Sequence, residues 1–300
     1  MNPLVEASGL YTPFGASTVD SQEMKCRVRF ISDVHLEHYF FKTGDNDFLQ
    51  DLFKSFIEPD KYSILCLLGD IGNPFQPIYQ HFIGWCSCNF SMTLLLTGNH
   101  EYYGHSMNET HQQIERLCKF YTNVLFMNNN IFVYHKRVVF IGTTLWSYIP
   151  SEHAAEVSCL INDYRFIYDE SDESDESDKK GEKKCIDVEK VNEIHKKNVK
   201  FLERTINMYK NYKVIVLSHH APFMKNASAP IYETNHTNYA FSSDQSQFFD
   251  DVDVWAYGHT HYNHPSNFVK TSGKTIGISN QAGYPGSICK YHNSTFSMVL

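Results

Sequence analysis

Short apolar runs alternate with amphipathic stretches along most of the chain, and that alternation confines the fold to α/β architectures. Strand-like runs rich in branched residues fall at 27–32, 63–68, 92–96, 124–127, 131–134, 138–143, 214–218, 252–257 and 275–279. Helical spacing of apolar residues fills several gaps between them, at 45–57, 77–88, 106–120 and 188–209. The last is the clearest, with Val188, Val191, Ile194, Phe201, Leu202 and Ile206 on one stripe. The triplet His135-Lys136-Arg137 separates two strand-like runs and reads as a hairpin, so at least one sheet is expected to be mixed.

The carboxyl ends of these runs carry a second pattern. The first run ends in DVHLE, which offers Asp33 and His35. The next ends in GDIGN with Asp70, and the third in GNHE with Asn99, His100 and Glu101. Farther along, HHAP supplies His219 and His220, and GHTH supplies His259 and His261. Carboxyl ends of sheet strands are where α/β proteins place their sites. Glycine beside them lets the backbone turn sharply while the next side chain points into the crevice. The D-x-H and H-x-H spacings put two ligands on one side of an extended segment. A lone D-x-H is weak, because such triplets arise by chance. Five strand ends carrying imidazole, carboxylate or amide together point to a metal site.

Composition narrows the remaining classes. An apolar content of 42% and an aromatic content of 15% are ample for a large core. The net charge of −8 and pI near 6.0 argue against a protein that coats a nucleic-acid backbone. Half of that charge sits in the run DESDESDESDKKGEKK at 169–184, which has no apolar residue to offset the entropy of ordering. It is expected to be a disordered surface insertion whose serines are phosphorylation targets, although a solvated loop without a function is the plainer reading. Residues 1–25 lack periodicity and are read as a loose extension, with 26–300 as one domain. No stretch reaches the roughly 20 apolar residues of a membrane helix, and the N-terminal segment lacks the basic start and apolar centre of a signal peptide. The eight scattered cysteines are read as reduced, mostly buried thiols, and the expected location is the cytoplasm. The Asn-x-Ser/Thr sequences at Asn89, Asn108, Asn226, Asn235 and Asn293 are attributed to chance.

The order D-x-H, G-D, G-N-H-E, H and G-H-x-H resembles the calcineurin-like metallophosphoesterase superfamily over roughly residues 26–265. The 37 residues from Asp33 to Asp70 and the 29 from Asp70 to Asn99 agree with its spacing. The resemblance implies two mixed β-sheets packed as a sandwich and flanked by helices, with two metals at the strand ends. Carried over to matching positions, one metal would be held by Asp33, His35, Asp70 and His261. The other would be held by Asp70, Asn99, His219 and His259, with Asp70 bridging. His100 matches the family's catalytic histidine, near the leaving group and not bound to metal. Oxygen and nitrogen ligands without cysteine suit Mn, Fe or Zn. The implied reaction is attack on phosphorus by a hydroxide shared between the metals, with His100 protonating or stabilising the departing oxygen.

Departures from the superfamily's patterns limit the substrate. The stretches GDIGNPF and TGNHE lack the arginines of the protein serine/threonine phosphatases, and Asn73 stands where purple acid phosphatases carry a metal-binding tyrosine. The expected substrate is a small phosphomonoester or phosphodiester, with neither membrane nor nucleic acid as partner. A non-catalytic protein-binding module on the same fold and a nuclease are the rival classes. Around the motifs, Glu101 is expected either to hold His100 by a hydrogen bond or to serve a turn. His220 is expected to support its neighbour, His264 to lie on the surface, and Arg165 to form a structural salt bridge. Tyr102, Tyr103 and Tyr262 either line the pocket or simply pack.

Overall fold

The computed structural model describes residues 27–40, 45–135, 137–169 and 184–300. The expected extension at 1–25 and nearly all of the acidic run therefore lie outside the described residues. Asp169 and Lys184 frame that run, and the Asp169 amide donates to the Lys184 carbonyl at 2.8 Å.

One sheet runs in the order β13-β1-β2-β3-β4, built from β1 (Arg27–Ile31), β2 (Asp60–Leu68), β3 (Phe90–Leu96), β4 (Val124–Phe126) and β13 (Met298–Val299). Strands β1 to β4 are parallel, and β13 adds an antiparallel edge. The other sheet contains β5 (Asn130–Tyr134), β6 (Val138–Thr143), β7 (Lys213–Ser218), β8 (Val254–Tyr257), β9 (Phe268–Lys270) and β10 (Ile276–Ser279). Its order is β5-β6-β7-β8-β10-β9, parallel except for β5 and β9 at its two edges. Tyr134 pairs with Val138, so β5 and β6 form the expected antiparallel hairpin. A small ribbon of β11 (Gly283–Tyr284) and β12 (Ser287–Ile288) stands apart.

The period-2 alternation of each strand explains the layering. Ile64, Cys66 and Leu68 of β2 face Phe140, Ile215, Leu217 and Ala256 of the other sheet, forming the centre of the sandwich. Leu65 and Leu67 face the opposite way, onto α1 (Asn46–Phe56), α2 (Pro77–Asn89) and α3 (Met107–Cys118), through Phe53, Phe82 and Ile114. Val214, Val216 and Trp255 likewise pack on Leu202 and Ile206 of α6 (Val188–Met208). Strands buried on both faces read as continuous apolar runs, which is why they were visible in the sequence. The first helix is capped by an acid: the Asp45 side chain accepts from the Phe48 amide at 3.2 Å.

One expectation is corrected here. All seven described cysteines are free, but only Cys66, Cys86 and Cys289 are buried, while Cys88 and Cys159 are exposed. Two short helices, α4 (Ala154–Leu160) and α5 (Asp163–Phe166), lie in a stretch without a clear period and were not foreseen.

Candidate metal centre

Every candidate ligand leaves the carboxyl end of a parallel strand. Asp33 and His35 follow β1, Asp70 follows β2, Asn99 follows β3, His219 follows β7, and His259 and His261 follow β8. Five of these seven adopt the left-handed backbone: Asp33 at φ 56°, His35 at 52°, Asp70 at 52°, His259 at 70° and His261 at 50°. Such a conformation is unfavourable for residues other than glycine and persists where surrounding bonds impose it. Here the ligand loops hold one another. The Asp33 amide donates to the Gly69 carbonyl at 3.1 Å, and the His35 amide to the Asp70 carbonyl at 3.0 Å. The His259 amide donates to the Asp33 carboxylate at 3.1 Å, and the His100 amide to Asp70 Oδ1 at 2.9 Å.

The side chains form two adjoining clusters. Asp33, His35 and His261 bring one ligand atom each to within 4.8 Å of the others, and so do Asp70, His219 and His259. Asp70 Oδ2 joins the clusters, at 3.4 Å from His219 Nε2 and 3.9 Å from His35 Nε2. Asn99 Oδ1 lies 3.2 Å from His219 Nε2. Partners behind the ligands fix their orientation. His35 Nδ1 faces Glu37 Oε1 at 3.0 Å and His219 Nδ1 faces the Leu68 carbonyl at 2.8 Å, leaving each Nε2 turned inward. The Asn99 amide nitrogen donates to Asp163 Oδ1 at 2.7 Å, which leaves its oxygen for the centre.

This donor set fits a pair of cations. His35 Nε2 and His261 Nε2 point at each other across 3.0 Å, although His35 already uses Nδ1 toward Glu37. Two imidazole nitrogens that close share either a proton or a cation. The space is also shaped for it: a Cβ at Gly98 would meet Asp70 Oδ1 at 2.1 Å and His219 Nε2 at 2.5 Å. Oxygen and imidazole ligands suit Mn, Fe or Zn.

Electrostatics follow from this crowding. Burial opposes charge on Asp70, yet the His219, His100 and His35 rings hold its carboxyl well below the usual carboxylate range. Asp33 is lowered in the same way, against burial, chiefly by His261. His219 is raised to about 9 against its burial because Asp70 stabilises the charged ring. A cation bound at Nε2 takes the place of that proton. Burial, with His220 and His219 adding to it, pushes His259 well below the usual histidine value, which favours a neutral ring able to act as a ligand.

His100 stands at the open edge of the centre. Its Nδ1 lies 3.0 Å from Glu37 Oε1, and its Nε2 lies 3.3 Å from the Tyr284 hydroxyl. Burial disfavours a charged ring here, but Asp70 and Glu37 raise His100 to about 9. Glu37 is held at about 2 despite burial, by hydrogen bonds from His100 and His35. Both carboxylates thus favour the protonated ring, whose Nε2 faces the Tyr284 hydroxyl.

Several expectations about the surroundings change. Glu101 does not hold His100. Its buried carboxylate accepts from the amides of Asp70 at 2.9 Å, Ile71 at 2.7 Å, Gly72 at 3.3 Å and Gly98 at 2.7 Å, tying two ligand loops together. The partner of His100 is Glu37, two residues beyond His35 in the quoted DVHLE. Asp163 and Tyr284 were also missed; the Tyr284 ring stacks on His35 at 4.2 Å. Tyr103 reaches the site, with its ring 4.4 Å from that of His100 and its hydroxyl on Asp163. Tyr102 is buried against Thr97 and His111 and takes a packing role. His220 backs His259 at 4.2 Å between ring centroids, and His264 pairs with Ser266. Arg165 donates to the Cys159 carbonyl, and no carboxylate among the described residues pairs with it.

The sandwich and its strand-end cluster define a metallophosphoesterase fold. Residues 26–263 match the calcineurin-like phosphoesterase family, and the chain belongs to it. It is 32% identical over 276 residues to the uncharacterised protein L509 of Acanthamoeba polyphaga mimivirus, spanning 86% of this chain and 91% of the viral one. Its fold is similar to that of a phosphopantetheinyl hydrolase of Mycobacterium tuberculosis. That likeness has a TM-score of 0.66 and 12% identity, and covers 92% of this chain and 96% of the other. No described helix is long and apolar enough to cross a membrane.

Proposed function

We propose that the chain is a metal-dependent hydrolase of small phosphomonoesters or phosphodiesters. The observation that carries this reading is one carboxylate, Asp70, facing two ligand clusters with a proton-bearing imidazole beside them. Asp33, His35 and His261 would hold one metal, Asn99, His219 and His259 the other, and Asp70 both. Such a pair supplies Lewis acidity and a nucleophile at neutral pH. The chain's own groups do the rest. His100 Nε2–H donates its proton to the departing oxygen, and Glu37 fixes the ring through Nδ1. Tyr284 and Tyr103 wall the opening and position the ester beside that proton. Seven free thiols among the described residues support a reducing, cytoplasmic setting.

The test is metal analysis of the purified protein with a panel of phosphomonoesters, phosphodiesters, single-stranded DNA and RNA. Turnover of a small ester that scales with metal content is expected; turnover of nucleic acid alone would make the protein a nuclease. His100→Ala should keep both metals and slow alkyl esters by roughly 10²–10⁴-fold. Nitrophenyl esters leave without a proton and should lose less. An equal loss on both ester types counts against the acid role.

A further inference from the structure

A third group of ligating side chains shares no residue with the metal centre: His153, Glu156 and His236. His153 ends the turn Ser151–His153, and Glu156 stands three positions later on α4, so both project from one face. His236 opens the turn His236–Ala240, which packs beside α4. His236 Nδ1 lies 3.1 Å from Glu156 Oε2. The His153 ring stacks on that of His236 at 4.1 Å and 25°, and on Tyr239 at 5.0 Å and 18°. A surface ion pair accounts for His236 and Glu156, and contributes little. It leaves the His153 ring, stacked on His236 and Tyr239, as a third donor within reach of that pair.

One ligand atom from each residue lies within 4.8 Å of the other two. Ligands of a tetrahedral zinc, bonded at about 2.0–2.2 Å, stand roughly 3.3–3.6 Å apart. The Glu156 and His236 side chains are 47% and 56% exposed, so they have room to close that gap and a hydrated ion has a way in. Two imidazoles and a carboxylate match the zinc donor set and leave one position for water. We propose that His153, Glu156 and His236 bind a single divalent transition metal of the Zn²⁺ type, clamping α4 to the 236–240 turn. Both clamped segments lead to the main centre. Asp163, which orients Asn99, lies just beyond α4, and Phe241, just beyond the turn, stacks on His259 at 4.6 Å.

Equilibrium dialysis of the full chain against Zn²⁺, with metal counted per chain, tests this. His153→Gln/His236→Gln should hold one ion fewer than the unsubstituted protein while keeping its circular dichroism. Glu156→Gln, a milder change, should weaken that same ion. Repeating the comparison in an Asp70→Asn background separates the two sites. A difference of one ion that survives there belongs to the third site, whatever becomes of the main centre. With Co²⁺ in place of Zn²⁺, the visible absorption of the parent should exceed that of the double variant by the band of one ion. Equal ion counts in parent and folded double variant, or equal Zn²⁺ affinity in parent and folded Glu156→Gln if the double variant fails to fold, would overturn the proposal.

Discussion

Asp70 turns Oδ1 to the His100 amide and Oδ2 to His219 and His35, so a single carboxylate ties an amide, two rings and both ligand clusters. Asp70→Asn keeps a side chain that tolerates the left-handed backbone, and removes the charge. It should lower metal content at both positions and abolish turnover with the fold intact; two metals and normal turnover would sink the bridging role. Glu37→Gln tests the proton carrier. Loss of the counter-charge should slow turnover of alkyl esters about 10–100-fold. It should also move the alkaline fall of the pH profile down from about 9, because His100 works protonated and its raised value depends on Asp70 and Glu37. An unmoved alkaline limb counts against Glu37. Residues at strand ends were legible because strand, glycine and ligand follow one another in the chain. Asp163 lies 64 residues from Asn99 with no marker of its own. Adjacency left two roles open for Glu101; neighbours in a tight turn point apart, and its carboxylate serves the turns by accepting from four amides.

The helix α3 shows how an element holds a cost of its own. Ser106 and Glu109 close a reciprocal cap at its start, and His111 lies one turn on, with its Nε2 2.8 Å from the Tyr102 hydroxyl. Burial pushes His111 down to about 4. The unfolded chain takes up this proton near pH 6.5 and the folded chain only near 4, so stability falls as pH drops through that window. For a shift of this size the loss is at most about 3 kcal/mol. His111→Gln keeps a polar partner for Tyr102 and removes the titration. Chemical denaturation at a series of pH values should show a flatter decline below pH 6.5 than in the parent; parallel curves would refute it. At this scale, long periodic elements were found to within a few residues. Strands β9, β11, β12 and β13, of two or three residues each, carry too little pattern to be read.

Across the whole molecule, the sequence of motifs announced a sandwich that periodicity alone did not. Apolar runs say that strands are buried on both faces, and not which sheet each one joins. The acidic run belongs to this scale too. Tyr168 pairs with Cys185, and Asp169 bonds Lys184, so the chain leaves and re-enters at one point. Replacing 170–183 with two glycines should leave melting temperature and hydrolysis of a small chromogenic ester unchanged. Loss of turnover would make the run part of the site. The left-handed ligands have a further consequence. Each such residue costs on the order of 1–3 kcal/mol, against a total stability of about 5–15 kcal/mol for a domain. Glycine at Asp33, His35, Asp70, His259 or His261 would relieve that cost and delete a ligand in one step. Directed evolution for heat resistance, with no demand for activity, should therefore erode this centre before it touches the core, and the survivors would be sturdier and metal-poor.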